Sequence, residues 1–251
     1  MITTDLVGRM GNQMFQYTMC RLIADENGFN FHIPKDGDVS CEGHHLSNFF
    51  PNIELGVVDG NITNRYYENG GYNPDILNVP NFTKIRGFFQ CGDYYDNHHD
   101  KIKNWLTIDI DDDTKTILGK YPVDKYCFIH VRGTDYVNSQ GWFLPRKYYL
   151  DGMSEVKKIN NDILFVVITD DIEAAKSILP DLDIISNDMM VDFKLLYLSK
   201  YSIISNSSFS WWAGWLSDKE VTIAPNCWIN YNRQELGSFP PDIKTNRFKF
   251  I

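Results

Sequence analysis

The strongest constraint on the fold is the rhythm of the segment between Tyr121 and Pro225, where short apolar runs alternate with amphipathic stretches. Such alternation is typical of βα units, which build a parallel sheet covered by helices. We predict strands at 126–131, 163–168, 183–186 and 201–205, a further apolar run at 221–224, and helices at 145–159, 171–179, 191–200 and 208–216. This half of the chain is therefore expected to be Rossmann-like.

The first part of the chain is less regular. A strand is predicted at 2–7, then a glycine-bearing turn and an amphipathic helix at 12–27 that Gly28 would end. Residues 31–85 are rich in Gly, Asn, Asp and Tyr and predict loops and short elements, and 84–89 predicts another strand. We place the boundary near Lys120, which gives domains of residues 1–120 and 121–251.

Composition narrows the possible partners and location. The net charge of −9 excludes a typical nucleic-acid binder, because phosphate recognition needs a surplus of Lys and Arg. Five cysteines without C-x-x-C pairs indicate neither a disulfide framework nor a zinc site. There is no apolar run of about 18 residues, so stable membrane insertion is not expected. We expect a cytoplasmic protein, with loose membrane association left open.

Three polar clusters follow predicted strands, where the loops of a parallel sheet converge on ligands. They contain His130, Arg132 and Asp135; Thr169, Asp170 and Asp171; and Asn206, Ser207, Ser208 and Phe209. A guanidinium and hydroxyl groups suit a diphosphate, and a carboxylate can accept hydrogen bonds from a guanine edge. Together the clusters predict a site for a nucleoside diphosphate.

Each cluster also has a purely structural interpretation. Asp170 and Asp171 could simply be an N-cap followed by a first-turn acid, Ser207 and Ser208 could be nothing but a cap, and a His-x-Arg pair at a strand end is often structural. Residues 109–113 carry the D-x-D spacing of metal-dependent glycosyltransferases, although an acidic helix start explains them better. Trp211, Trp212 and Trp215 could form a sugar-stacking platform, although at helical spacing they are more typical of a core.

Four strings carry a resemblance to a known family: GRMGNQMFQY at 8–17, GFFQ at 87–90, HVRGTDYV at 130–137 and SNSSFSWWAGWL at 205–216. In this order they resemble glycosyltransferase family 11, the α-1,2-fucosyltransferases, especially its short bacterial and viral members. The resemblance implies an α/β, GT-B-like fold with two Rossmann-type domains facing a cleft. The 1–120 domain would then lie on the acceptor side, and the 121–251 domain would bind the GDP-sugar.

The resemblance also implies roles for individual residues. Arg132 would hold the β-phosphate, His130 and Asp171 would recognise guanine, and Asn206, Ser207, Ser208 and Phe209 would complete the donor site, while Gly11 and Asn12 would border the donor sugar. One position departs from the family, which commonly has a second arginine where this chain has Gly133. Asp135 is our hypothesis for the general base, its structural alternative being to cap the loop and orient Arg132.

The resulting functional prediction is an inverting enzyme that moves L-fucose from GDP-fucose to O2 of a terminal galactoside in a glycan. No cofactor and no metal ion are expected. The alternatives are a transferase with another GDP-sugar or linkage, and a noncatalytic carbohydrate-binding protein.

Overall fold

The computed structural model describes residues 1–35, 45–231, 240 and 243–251. It separates into two compact units. The first consists of Met1–Thr107 with Pro240–Thr245, and the second of Ile108–Phe239 with Asn246–Ile251. No helix in these described ranges is long and apolar enough to cross a membrane.

The first unit contains a parallel four-stranded sheet. Its strands are β1 (Ile2–Thr3), β2 (Phe31–His32), β3 (Asn64–Tyr67) and β4 (Thr83–Arg86), in the order β2-β1-β4-β3. Two helices, α1 (Met10–Asn27) and α2 (His99–Trp105), and short 3₁₀ turns at Leu46–Asn48, Pro74–Asn78, Gly92–Tyr94 and Asp96–His98 complete its described elements.

Helix α1 is the central helix of this unit. Thirteen of its 18 residues are buried, among them Gln13, Gln16 and Thr18, so the helix is enclosed on most of its circumference rather than along one apolar stripe. The helix ends at Gly28, whose φ of 66° is left-handed, as a C-terminal glycine permits. The predicted helix and its stop are confirmed, whereas the predicted strand at 2–7 is shortened to two residues.

The second unit contains a parallel six-stranded sheet. Its strands are β5 (Tyr126–Val131), β6 (Leu164–Thr169), β7 (Asp183–Ile185), β8 (Tyr201–Ile203), β9 (Val221–Ala224) and β10 (Lys249–Phe250), in the order β10-β9-β8-β5-β6-β7. Its helices are α3 (Asp112–Lys120), α4 (Thr134–Val137), α5 (Arg146–Ile159), α6 (Ile172–Ile178), α7 (Met189–Leu198) and α8 (Ser208–Trp215). With a parallel sheet and helices in each unit, the chain has the expected α/β, GT-B-like architecture.

The observed division of the chain comes before α3, earlier than the predicted boundary at Lys120. The reason is visible at the start of that helix. Asp111 forms an ion pair with Lys194 of α7, and α3 packs against α7, so it is held in the second unit. The segment around Pro240–Thr245 belongs to the first unit, which sequence patterns did not reveal.

Helix α8 is a core element. Trp211, Trp212 and Trp215 are fully buried, with the rings of Trp211 and Trp215 stacked at 5.8 Å. Burial of three indoles supplies a large apolar area to this unit. The interpretation of these tryptophans as core is confirmed, and a sugar-stacking platform at this position is wrong.

The cysteines of the described residues carry no cross-link. Cys20, Cys91, Cys127 and Cys227 are free and buried. Cys41 lies outside the described residues.

Candidate active site

The strand order of the second unit creates a crevice between two neighbouring strands. From β5 the chain continues outward through β6 and β7, then crosses to β8 on the other side of β5. In parallel sheets such a reversal opens a ligand crevice at the carboxyl ends of the two strands. The cluster at 130–135 follows β5 and the cluster at 205–209 follows β8, so sheet topology brings both to this crevice.

Arg132 is held rigidly at this edge. Its guanidinium donates to Oδ1 of Asp135 at 2.6 Å and pairs with Oδ2 of Asp170. Its Cζ lies 5.5 Å from the ring centre of Tyr136, and the side chain is only 16% exposed. Two carboxylates and a ring therefore fix the plane of the guanidinium before any ligand arrives.

Gly133 allows the loop after β5 to pack closely on the loop after β6. Its backbone N–H donates to Oδ1 of Asp170 at 2.8 Å. A β-carbon at this position would overlap the Cβ of Asp171 and would lie 3.0 Å from the Cβ of Ala174. This chain thus has glycine in place of the family arginine at a position where the backbone lies against Asp171, a contact that only glycine permits.

Asp171 is engaged in local structure. Oδ1 accepts from the backbone N–H of Ala174 at 3.0 Å, which caps α6, and Oδ2 accepts from the N–H of Thr134 at 3.2 Å. Asp171 thus has a structural role, as the N-cap itself rather than as the acid that follows it. Its recognition of guanine stays a prediction.

His130 is buried under an aromatic contact. Its Nδ1 lies 2.8 Å from Oγ of Ser205, and its ring centre lies 5.5 Å from that of Phe209, which in turn contacts Phe193. Burial lowers the pKa of His130 from 6.5 to about 4, partly opposed by the charge of Asp170. The imidazole is therefore neutral at pH 7, and it joins the two strand ends across the crevice.

The cluster after β8 is arranged by Asn206. The Asn206 side chain donates to the carbonyl oxygens of Trp142 and Trp228 at 2.8 and 2.6 Å, and its buried Oδ1 has no partner among the described residues.

Ser207 occupies the N-cap position of α8, yet its side chain makes no capping hydrogen bond. The simple cap interpretation of Ser207 is therefore wrong. Ser208 is the first residue of the helix, where backbone N–H groups have no partner within the helix.

Asp135 is a partner of Arg132. Although desolvation acts in the opposite direction, hydrogen bonds from Arg132 and Thr134 lower the pKa of Asp135 below its ordinary value. A carboxylate held in this way is a weaker base than a free one. The geometry fits orientation of Arg132 directly, and the role of base stays a prediction.

Asp192 is a buried acid that sequence reasoning missed. Its carboxylate accepts from the backbone N–H and the side chain of Asn187 at 3.3 and 2.8 Å. Burial raises its pKa to about 6, and the charges of Asp188 and Asp170 add to this effect. The available signal was an acid in the first turn of the largely apolar helix α7. The next residue, Phe193, contacts Phe209 of the cluster after β8, so helix α7 borders the crevice.

Gly11 and Asn12 lie in the first unit, at the start of α1. Oδ1 of Asn12 accepts from Nε2 of Gln90 at 2.8 Å. Gly8 has a left-handed φ of 79°, and a β-carbon there would lie 2.8 Å from Nδ2 of Asn12. The Asn12 amide thus packs against Gly8 on one side and accepts from Gln90 on the other, and these two contacts fix its orientation.

The D-x-D segment has a structural role. Asp111 caps α3 by accepting from the N–H of Thr114 at 2.7 Å, and it pairs with Lys194. Both interactions lower its pKa. No group of three or more His, Cys, Asp or Glu side chains suited to a metal ion occurs among the described residues.

A family comparison decides what kind of protein this is. The model of glycosyl transferase family 11 matches residues 53–242. The chain belongs to glycosyl transferase family 11. The family match covers the strand-end clusters of the second unit, and the resemblance inferred from the motifs is confirmed.

Individual relatives agree with this membership. The chain is 28% identical to an α-1,2-colitosyltransferase of Escherichia coli over 96% of both proteins. It is 23% identical to the O-antigen biosynthesis glycosyltransferase WbnK of Escherichia coli, over 63% of this chain and 59% of that protein. Among solved structures, the NodZ α-1,6-fucosyltransferase, soaked with GDP-fucose, has a TM-score of 0.51 at 12% identity, covering 86% of this chain and 92% of that one. This last similarity concerns the fold.

Proposed function

We propose that this family 11 glycosyltransferase moves L-fucose from GDP-fucose to O2 of a terminal galactoside, with inversion at the sugar. The observation that carries the proposal is the fixed guanidinium of Arg132 at the strand reversal, together with the hydroxyl of Ser207 at the start of α8. The named relative that forms an α-1,2 linkage supports the linkage.

The proposed chemistry requires stabilisation of a leaving diphosphate. As the bond from the sugar to phosphate breaks, negative charge grows on the GDP oxygens, and preorganised donors stabilise that charge. Arg132 supplies a cation, and Ser207 and Ser208 supply hydroxyls from the N-terminus of α8. The acceptor hydroxyl must lose its proton as it attacks, and we assign this proton to Asp135. No metal ion or cofactor enters the proposal, so EDTA is expected to leave the activity unchanged.

A second donor is favoured by one comparison. The relative that matches over 96% of the chain is named a colitosyltransferase. Colitose is fucose without its 3-hydroxyl, so a site can distinguish the two sugars by hydrogen bonds to that group. Assays with GDP-fucose and GDP-colitose at equal concentration would identify the preferred donor. A higher kcat/KM with GDP-colitose would replace fucose in the proposal and leave the reaction class intact.

GDP binding tests the proposed site directly. GDP should raise the melting temperature of the chain, because a ligand that binds only the folded state stabilises it. Arg132→Met should lose most of this shift. The matched control is Lys176→Met, which removes an exposed cation of the same unit that pairs with Glu173. The proposal is wrong if GDP has no effect, or if both variants retain the full shift.

Glycan binding with and without GDP, together with an assay of GDP release, separates a transferase from a noncatalytic carbohydrate-binding protein. Such a protein would bind glycans with an affinity that GDP does not change. A transferase should instead release free GDP from its sugar donor when a galactoside is present.

A further inference from the structure

The segment 87–90 after β4 has a conformation that needs an explanation. Phe89 is fully buried and has a left-handed φ of 54°, which is unfavourable for a bulky residue. Its neighbour Phe88 is 40% exposed. A strained backbone of this kind persists only where the surrounding structure enforces it, and such positions cluster at functional sites.

Several contacts enforce this conformation. The carboxylate of Glu68 accepts from the N–H groups of Phe88 at 2.8 Å and of Phe89 at 3.1 Å. The buried hydroxyl of Tyr95 donates to the carbonyl oxygen of Phe89 at 2.7 Å. Gly87 lies against Glu68 so closely that a β-carbon there would overlap the Cβ of Glu68. The loop is therefore built to bury one phenyl ring and to present the other to solvent.

The exposed ring lies at the carboxyl-end edge of the sheet in the first unit. Strands β1, β3 and β4 are parallel, so the segments that follow them come to the same edge of the sheet. Those segments contain Asn12, Glu68 and Phe88, respectively. The hydrogen bond from Gln90 to Asn12 ties the segment after β4 to the start of α1.

We propose that the ring of Phe88 is the platform on which the acceptor sugar stacks, and that Gln90 is a positioning residue that orients the Asn12 amide toward a sugar hydroxyl. This inference rests on the proposed function and assigns an acceptor subsite within it. The C–H face of a pyranose packs on the electron-rich face of an aromatic ring, and neighbouring amides bind its hydroxyls. A single exposed phenylalanine needs no explanation by itself, but a strained loop anchored by Glu68 and Tyr95 does.

Saturation-transfer NMR tests the stacking directly. The probes are the methyl glycosides of galactose, glucose and N-acetylglucosamine, with saturation of the aromatic protons of the full chain. We expect transfer to at least one glycoside in the wild type, loss of it in Phe88→Ala, and its retention in Phe88→Trp. Transfer that persists in Phe88→Ala, or none to any glycoside in the wild type, overturns the inference.

Kinetics separate this subsite from the donor site. Phe88→Ala should raise the acceptor KM by about tenfold or more, as expected for loss of an aromatic anchor, with kcat and the GDP-induced melting shift retained. Gln90→Ala should act in the same direction, and Gln90→Glu, which removes the donated hydrogen bond to Asn12, should reproduce it. Val58→Ala, at an exposed apolar residue of the same unit, is the control. A normal acceptor KM in Phe88→Ala contradicts the subsite alone, whereas a missing GDP shift in the wild type contradicts the proposed function.

Discussion

Gly133 and Asp171 lie so close that no side chain fits at position 133 without displacing the cap of α6. An arginine, which the family commonly has at this position, would require the backbone at position 133 to move away from Asp171. The loop gains instead a direct hydrogen bond from its own N–H to Asp170. Asp170 also pairs with Arg132, so the glycine indirectly fixes the remaining arginine.

Substitution of Gly133 should therefore be costly. Gly133→Ala should destabilise the fold by about 1–3 kcal/mol, the range for overpacking a tight contact. It should also weaken GDP binding, because Asp170 and Arg132 would shift. The control is Gly119→Ala in α3, where a β-carbon meets no atom within 4 Å and helix propensity should improve stability by about 0.5–1 kcal/mol. Chemical denaturation checks both, and an unperturbed Gly133→Ala would refute the close approach.

The second unit was predictable because its central strands, β5, β8 and β9, are buried on both faces. The apolar run of β5 agrees with the structure residue for residue, and the run at 221–224 coincides with β9. The predicted ends of β6, β7 and β8 differ from the observed ends by one or two residues, as expected where polar loops begin. Strand β10 has two residues and depends on pairing with β9 rather than on any local pattern, so sequence could not reveal it.

The candidate site was only partly predictable. Polar residues after β5, β6 and β8 were found because strand ends are positions that sequence can locate. Asp192 was missed because its importance comes from burial and from the charge of Asp170, which are tertiary properties. The role of Gly133 was equally hidden, since the backbone of another loop approaches it.

Asp111 should matter for stability and not for donor binding. Asp111→Ala removes the cap of α3 and the partner of Lys194, so we expect a loss of about 1–2 kcal/mol. Asp109→Ala, at an exposed position of the same acidic segment, should be close to neutral. GDP titration by calorimetry should give the same affinity for both variants and the wild type. A loss of GDP affinity in Asp111→Ala would instead favour a metal-dependent site.

Asp135→Asn distinguishes a base from a positioning residue. If Asp135 accepts the proton of the acceptor hydroxyl, kcat should fall by about 10²–10⁴-fold while GDP affinity is retained. Steady-state kinetics with parallel GDP titrations measures both quantities. Unchanged turnover with normal donor binding would exclude Asp135 as the base. Equal losses of turnover and GDP affinity would assign it to the orientation of Arg132.

His130 should titrate far below an ordinary histidine. Its pKa is lowered to about 4 by burial, whereas its ordinary value is 6.5. The unfolded state therefore binds the proton first, and this contribution to stability is present above pH 6.5 and is lost as the pH falls toward 4. NMR titration of the His130 ring would measure the pKa, with the chain unfolded in denaturant as the reference. A value near 6.5 would contradict the buried, neutral ring.

Asp192 should show the opposite pH dependence. Its folded pKa of about 6 lies above its ordinary value of 3.8, so the folded state holds the proton more tightly, and this contribution to stability is lost as the pH rises from about 4 to 6. Asn does not titrate, so Asp192→Asn should remove this loss. The free energy of unfolding of the wild type should therefore fall relative to that of the variant as the pH rises from about 4 to 6. A buried carboxylate that costs stability at neutral pH is readily explained by binding, and we therefore expect Asp192→Asn to bind GDP more weakly. Denaturation at several pH values and GDP titration at pH 7 check the two parts, and a variant with unchanged GDP affinity would show that Asp192 serves only to hold Asn187.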